Sequence, residues 1–260
     1  VLKNKGLTRK YDIKGGNTIP NCYNFIFLFT AKMANTEKKI AVIGGGSWAT
    51  ALMKILTSQK HVVNWWMHNE ASAAHILKYR HNPKYLQSVE FDLDRINVST
   101  DLDDILGPSE IIIIATPSAF LHDLFSKIQP SQLKDKIIFS AVKGIIPEVN
   151  EIPGQYYHTQ MEVPYDNIGI ICGPCHAEEV ALERLSYLTV ACQDEEIAEY
   201  MADRLETRYI KTTISDDIFG TEFSAVLKNV YSIASGICAG LGYGDNFQSV
   251  LISNAIQEIE

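Results

Sequence analysis

The sequence has no long apolar run, no basic excess and no even set of cysteines, and each absence removes a class of protein. Acidic residues outnumber Lys and Arg by 31 to 23, for a formal net charge of -8. No basic stripe offsets that charge, so a sequence-independent nucleic-acid binder is excluded. The five cysteines, at 22, 172, 175, 192 and 238, are odd in number and irregular in spacing. They suit a reducing compartment better than a disulfide framework, and a cytoplasmic protein is expected. The histidines lack ligand-like spacing and no second cysteine pair is spaced for zinc, so no metal site is expected. The apolar run Phe25-Ile-Phe-Leu-Phe29 is far too short to span a membrane and lies at the lower limit of a signal-peptide core.

What is present is enough for a folded core: 260 residues, 46% of them hydrophobic, allow one large or two modest domains. The first 32 residues differ from the rest, being basic (Lys3, Lys5, Arg9, Lys10, Lys14) and broken by Gly15-Gly16 and Pro20. Met33 is a natural start for a protein whose first strand is Ile40–Ile43. Residues 1–37 are therefore expected to be a disordered extension, outside the fold.

The chain is organised around Gly44-Gly45-Gly46-Ser47-Trp48-Ala49, which follows the apolar run Ile40–Ile43. The pattern is strand, glycine turn and helix start, with the dinucleotide spacing G-x-G-x-x-A. Gly44 allows a tight turn, Gly46 lets backbone N–H groups approach a pyrophosphate, and Ala49 lets helix pack on strand. The anion then meets unpaired amides and the positive end of the helix dipole.

Further along, Val62–Met67 reads as a second strand ending at His68-Asn69-Glu70, and 71–80 as a helix stopped by the loop around Pro83. Ile111-Ile-Ile-Ile-Ala115 is uniformly apolar, as a central parallel strand buried on both faces requires. Strands follow at 137–141 and 167–172. The fold class expected is therefore α/β, a Rossmann-like, doubly wound, mostly parallel sheet over 38–213. The loops at 44–48, 116–118 and 142–144 then share the rim where such sheets bind ligands. After 213 the apolar positions Phe219, Phe223, Val226, Leu227, Val230, Ala234 and Ile237 keep a helical period, with Asp216-Asp217 as cap. Gly240–Gly244 interrupts it and 246–260 resumes, so 214–260 reads as the first, incomplete part of an all-α domain.

Among chemically able residues, Lys228 lies midway along that apolar helix with Ser224 and Ser232 one turn to each side. A lysine partly desolvated there can donate a proton to a carbonyl oxygen as hydride arrives at carbon. A lysine snorkelling to solvent is the other reading of the same pattern. Lys143, at a strand's carboxyl end beside Gly144, can bind phosphate or polarise a substrate oxygen, or be an ordinary loop lysine. Cys172-Gly-Pro-Cys175 has the look of a thioredoxin centre, but the fingerprint and several strands already occupy the space that motif would need. Gly173-Pro174 is then a backbone turn against the ligand. Trp65 and Trp66 are expected in core and strand.

Taken together, the chain resembles the bacterial-type NAD(P)-dependent glycerol-3-phosphate dehydrogenases. The resemblance rests on Ile43–Ala51, Arg80–Leu86, Ile111–Ser118, Val142–Gly144, Gly173–Val180, Leu227–Asn229 and Gly240–Asn246 in order, covering residues 38–260. It implies reduction of dihydroxyacetone phosphate to sn-glycerol 3-phosphate, a phospholipid precursor, with NADH or NADPH, and a homodimer is expected. By position Lys228 matches the general acid/base, Lys143 the lysine touching both cofactor and substrate, and Gly173 and Cys175 the substrate loop. Ser47, Trp48, His68, Tyr85 and Ala177 match cofactor positions, alongside Gly44, Gly46 and Ala49. Cys175 stands where the family usually has serine or threonine, Asn69 where many members have arginine, and Gln248 and Asn254 where basic residues are common. The family's aspartate and serine-arginine-asparagine cluster for the substrate phosphate have no counterpart in this chain, so nucleotide binding with poor turnover is expected. A related two-domain dehydrogenase and a non-catalytic nucleotide module are the competing readings.

Overall fold

The computed structural model describes residues 37–259; the expectations for Cys22 and for residues 1–36 lie outside them. Eight strands form one sheet in the order β3-β2-β1-β4-β5-β6-β7-β8. They are β1 (Ile40–Ile43), β2 (Val63–Trp66), β3 (Ile96–Ser99), β4 (Ile111–Ile114), β5 (Ile137–Ser140), β6 (Ile168–Cys172), β7 (Ser186–Cys192) and β8 (Ile210–Ser215). Every neighbouring pair is parallel except β6 and β7, so the expected mostly parallel sheet carries one reversal. The sheet continues to Ser215, past the boundary expected at 213.

The helices are α1 (Ser47–Ser58), α2 (Glu70–Tyr79), α3 (Leu102–Leu106), α4 (Leu121–Phe125), α5 (Pro130–Leu133), α6 (Pro153–Thr159), α7 (Ala177–Ala181), α8 (Glu195–Leu205), α9 (Ile218–Gly240) and α10 (Asp245–Ile259). Strands β1, β2, β4 and β5 are buried along their whole length. Because side chains alternate across a strand, Ile111 and Ile113 join one core with α1 and α8, while Ile112 and Ile114 join a second core with α4 and α6. This is why the tetra-isoleucine run carries no polar alternation: neither face meets water.

Local chemistry sets the helix starts. Asn69 caps α2 by accepting the Ser72 N–H at 2.8 Å, and Asp217 caps α9 by accepting the Gly220 N–H at 2.7 Å. Helix α9 runs for 23 residues, about 34 Å at 1.5 Å per residue. It buries only Ile218, Glu222 and Ala225, so its first turns seat on the sheet and the remainder extends beside α10. Val230, Ile233 and Ile237 on α9 and Val250 and Ile256 on α10 are exposed.

Candidate nucleotide and substrate site

The glycine turn between β1 and α1 is fixed by a close backbone approach and by two side-chain hydrogen bonds. Gly44 adopts φ +144°, and a Cβ there would lie 2.6 Å from the carbonyl oxygen of Ala115, just after β4. The Trp65 indole donates to the Gly44 carbonyl at 2.7 Å. One residue on, the Gly45 carbonyl accepts from Asn82 Nδ2 at 3.1 Å. The same amide nitrogen reaches Thr50 Oγ1 at 2.9 Å, and Asn82 Oδ1 accepts the backbone N–H groups of Lys84 and Tyr85. Asn82 is buried, and it ties the 80–86 loop to the fingerprint.

The space in front of α1 is open. Gly46 is the N-cap of α1 and supplies no side chain to its amides, and no atom lies within 4 Å of where a Cβ would stand. Uncapped amides at the start of a helix of 12 residues meet the chemical requirement for a pyrophosphate. Ala49 is fully buried against β1. The Trp48 indole N–H is buried without a hydrogen-bond partner. These residues fit a dinucleotide.

Lys143 joins the rim loops. It is exposed, its Nζ lies 3.4 Å from the Gly173 carbonyl oxygen, and it stands 5.7 Å from the Trp48 ring centre, within cation–π range. Gly144 takes φ +144°, and a Cβ would lie 2.8 Å from Ser118 Oγ. The loops at 44–48, 116–118 and 142–144 thus meet on one rim, and the 173–177 loop joins them.

Gly173 packs its backbone on β7, where a Cβ would lie 2.2 Å from the Tyr187 carbonyl oxygen. The Cys175 thiol is buried and donates to the same carbonyl at 3.0 Å. Burial pushes the thiols of both Cys172 and Cys175 up from their ordinary range, the opposite of what a redox-active pair requires. Ala177 is buried as the first residue of α7, and His176 occupies its N-cap without a side-chain bond. At the far end of the rim, His68 is exposed. It borders a cleft of about 510 Å³ with Trp66, Thr100, Asp101, Asp103 and Lys127. Tyr85 is 43% exposed. Trp65 and Trp66 are buried strand residues.

Lys228 requires a correction. Of its two readings the structure matches the solvent-reaching one: it is exposed, not partly desolvated, because α9 buries nothing beyond Ala225. Its carbonyl accepts the Ser232 hydroxyl at 2.8 Å. Its ammonium and that of Lys143 both lower the Cys172 thiol against the dominant effect of burial.

Sequence reasoning missed two residues here. For Asn82, in the 80–86 loop, the Asn-Pro step signals a turn, not a partner 37 residues away. Glu222 is 2% exposed and accepts the Gly154 N–H at 3.0 and 3.2 Å. Burial pushes its carboxyl up to about 7, against the Gly154 N–H and the Ser140 hydroxyl, which lower it. A lone carboxylate among apolar helix positions was the available signal.

Comparison with known proteins agrees with this geometry. The family described as NAD-dependent glycerol-3-phosphate dehydrogenase N-terminus matches residues 39–198, and its C-terminus counterpart matches 217–260. A Pseudomonas syringae glycerol-3-phosphate dehydrogenase [NAD(P)+] is 34% identical over 224 residues, covering 86% of this chain and 64% of the relative. The Azotobacter vinelandii enzyme of the same name is 36% identical over 223 residues, again covering 86% and 64%. The glycerol-3-phosphate dehydrogenase structure from Coxiella burnetii superposes with a TM-score of 0.76 at 25% identity, covering 86% of this chain and 67% of that one. The chain thus spans 64% of the length of these curated relatives. Two matched regions in the family's own order, on a sheet with the family's fold, show that the chain belongs to the NAD-dependent glycerol-3-phosphate dehydrogenases.

Proposed function

We infer that the described residues form the nucleotide-binding and proton-donating part of an NAD(P)-dependent enzyme that reduces dihydroxyacetone phosphate to sn-glycerol 3-phosphate. The observation that carries this reading is Lys143, which spans from Trp48 at the fingerprint helix to the Gly173 carbonyl at the next loop. One cation thereby faces both the nucleotide rim and the loop assigned to substrate. When bound, the reduced nicotinamide supplies the hydride. The open amides of α1 hold the pyrophosphate, and Asn82 keeps their turn in place. Lys143 polarises the substrate carbonyl with fixed positive charge. Lys228 Nζ gives the proton to the carbonyl oxygen as it becomes an alkoxide. Gly173 presents its backbone to the substrate, while Cys175, bonded to Tyr187, shapes that loop from behind. His68, Tyr85 and Ala177 border the nucleotide in the same reading. It includes a cytoplasmic homodimer, with the exposed apolar residues of α9 and α10 as a supporting observation. Among the described residues no helix is long and apolar enough to cross a membrane.

The test is fluorescence titration of the chain with NADH and NADPH, then oxidation of the reduced nucleotide with dihydroxyacetone phosphate. Binding of at least one nucleotide is expected, and its absence overturns the reading. Lys228→Ala leaves that affinity intact and lowers whatever rate the parent shows by roughly a hundredfold, the scale of a lost general acid.

A further inference from the structure

Glu222 has no part in the reading above, yet it is the most deeply buried charged group among the described residues. It sits in the second turn of α9 and accepts through both carboxylate oxygens from the N–H of Gly154, a residue 68 positions earlier at the start of α6. The approach depends on glycine: a Cβ on residue 154 would lie 2.9 Å from Glu222 Oε2. The groups facing the carboxylate come from several elements. The Ser140 hydroxyl at the end of β5 lowers its carboxyl, and its charge raises Tyr157 of α6 and Cys172 at the end of β6. Lys143 and Lys228 both lower the Cys172 thiol, against burial, which raises it. Glu222 therefore joins α9 to the two strand ends that carry the rim loops, six residues before Lys228 on the same helix.

We propose that Glu222 is a positioning residue, which by gripping the Gly154 amide seats the first turns of α9 on the sheet and so sets where Lys228 stands relative to Lys143. This rests on the assignment of Lys228 as proton donor, but the contact itself can be tested without turnover. The buried polar link is also economical in sequence terms. Of the residues α9 buries, Ile218 and Ala225 are apolar and can slide, whereas a hydrogen bond to one defined amide fixes rotation and register.

The experiment is amide hydrogen exchange on the whole chain, read at Gly154 and the first turns of α9, for the parent, Glu222→Ala and Glu222→Gln. It is combined with the pH profile of Cys172 alkylation by iodoacetamide, followed by peptide-resolved mass spectrometry. Glu222→Ala is expected to speed exchange at both places by roughly tenfold or more, as loss of a hydrogen bond to an ionisable acceptor implies. Glu222→Gln, whose amide oxygen can still accept, restores slow exchange. Both variants remove the charge beside Cys172, so only displacement of Lys228 separates them: the alkylation profile of Glu222→Ala lies at higher pH than that of Glu222→Gln. Identical exchange and identical profiles for the two variants overturn the proposal. Should Glu222→Ala fail to fold, Gly154→Ala presses on the same contact from the other side, and unchanged exchange in α9 then overturns it. Lys228→Ala leaves Gly154 exchange slow, so a wrong assignment of the proton donor is distinguished from a wrong assignment of the anchor.

Discussion

Gly46→Ala separates folding from binding at the fingerprint. Gly46 has φ -81° and ψ -177°, a backbone conformation any residue adopts, and an added methyl meets no atom within 4 Å. Two small effects act on stability. Alanine is a poorer N-cap than glycine by several tenths of a kcal/mol, and it removes freedom from the unfolded chain worth about 0.4–1 kcal/mol. They oppose each other, so the urea midpoint is expected to move by less than about 1 kcal/mol in equivalent stability. The methyl nevertheless fills the space in front of the α1 amides, where the phosphates must come within hydrogen-bond distance. Losing even one charge-assisted bond of about 1.5–3 kcal/mol weakens binding roughly tenfold to a hundredfold. Urea unfolding and NADH titration of the same sample give both numbers. A variant that folds normally and binds NADH within twofold of the parent refutes a pyrophosphate over those amides.

Gly44→Ala should do the reverse: with φ +144° and a backbone oxygen 2.6 Å from the new Cβ, strain and overlap together cost roughly 2–5 kcal/mol in urea unfolding. Asn82→Ala strips partners from the Gly45 carbonyl and the Lys84 and Tyr85 amides. A loss of about 2–4 kcal/mol with weakened NADH binding is expected, at roughly 1 kcal/mol or more per orphaned group. The Glu222 carboxyl, raised from 4.5 to about 7, binds its proton more tightly folded than unfolded. Its contribution is complete below pH 4.5 and is lost as pH rises through about 7. Thermal unfolding from pH 5 to pH 8.5 should show that decline flattened in Glu222→Gln. Ile112→Ala, in a fully buried central strand, should cost about 2–5 kcal/mol in the same assay.

The parts legible in the sequence are those whose cause is local or periodic. Four β-branched isoleucines bounded by turn residues read as a strand with two dry faces, and Gly44, Gly46 and Ala49 mark the turn by their spacing. Asp217 announced the start of α9 because a capping side chain bonds within its own turn. By contrast, β3 has one buried residue in four and lies at the sheet edge, so Ile96–Ser99 offers little apolar signal. The parts that stayed hidden depend on distant partners. Neither the hold of Asn82 on Gly45 nor the grip of Glu222 on Gly154 follows from neighbours along the chain. The sequence left both readings of Lys228 open, since helical periodicity says which side chains share a face but not where along the helix docking ends.

The Asn82 clamp has one more consequence. Trp65 and Asn82 bond the carbonyls of the turn proposed to take the phosphates, so the entropy of shaping it is borne when the protein folds, not when ligand binds. Association at this turn is accordingly expected to be fast and close to rigid-body, with weakening variants read out chiefly as quicker release.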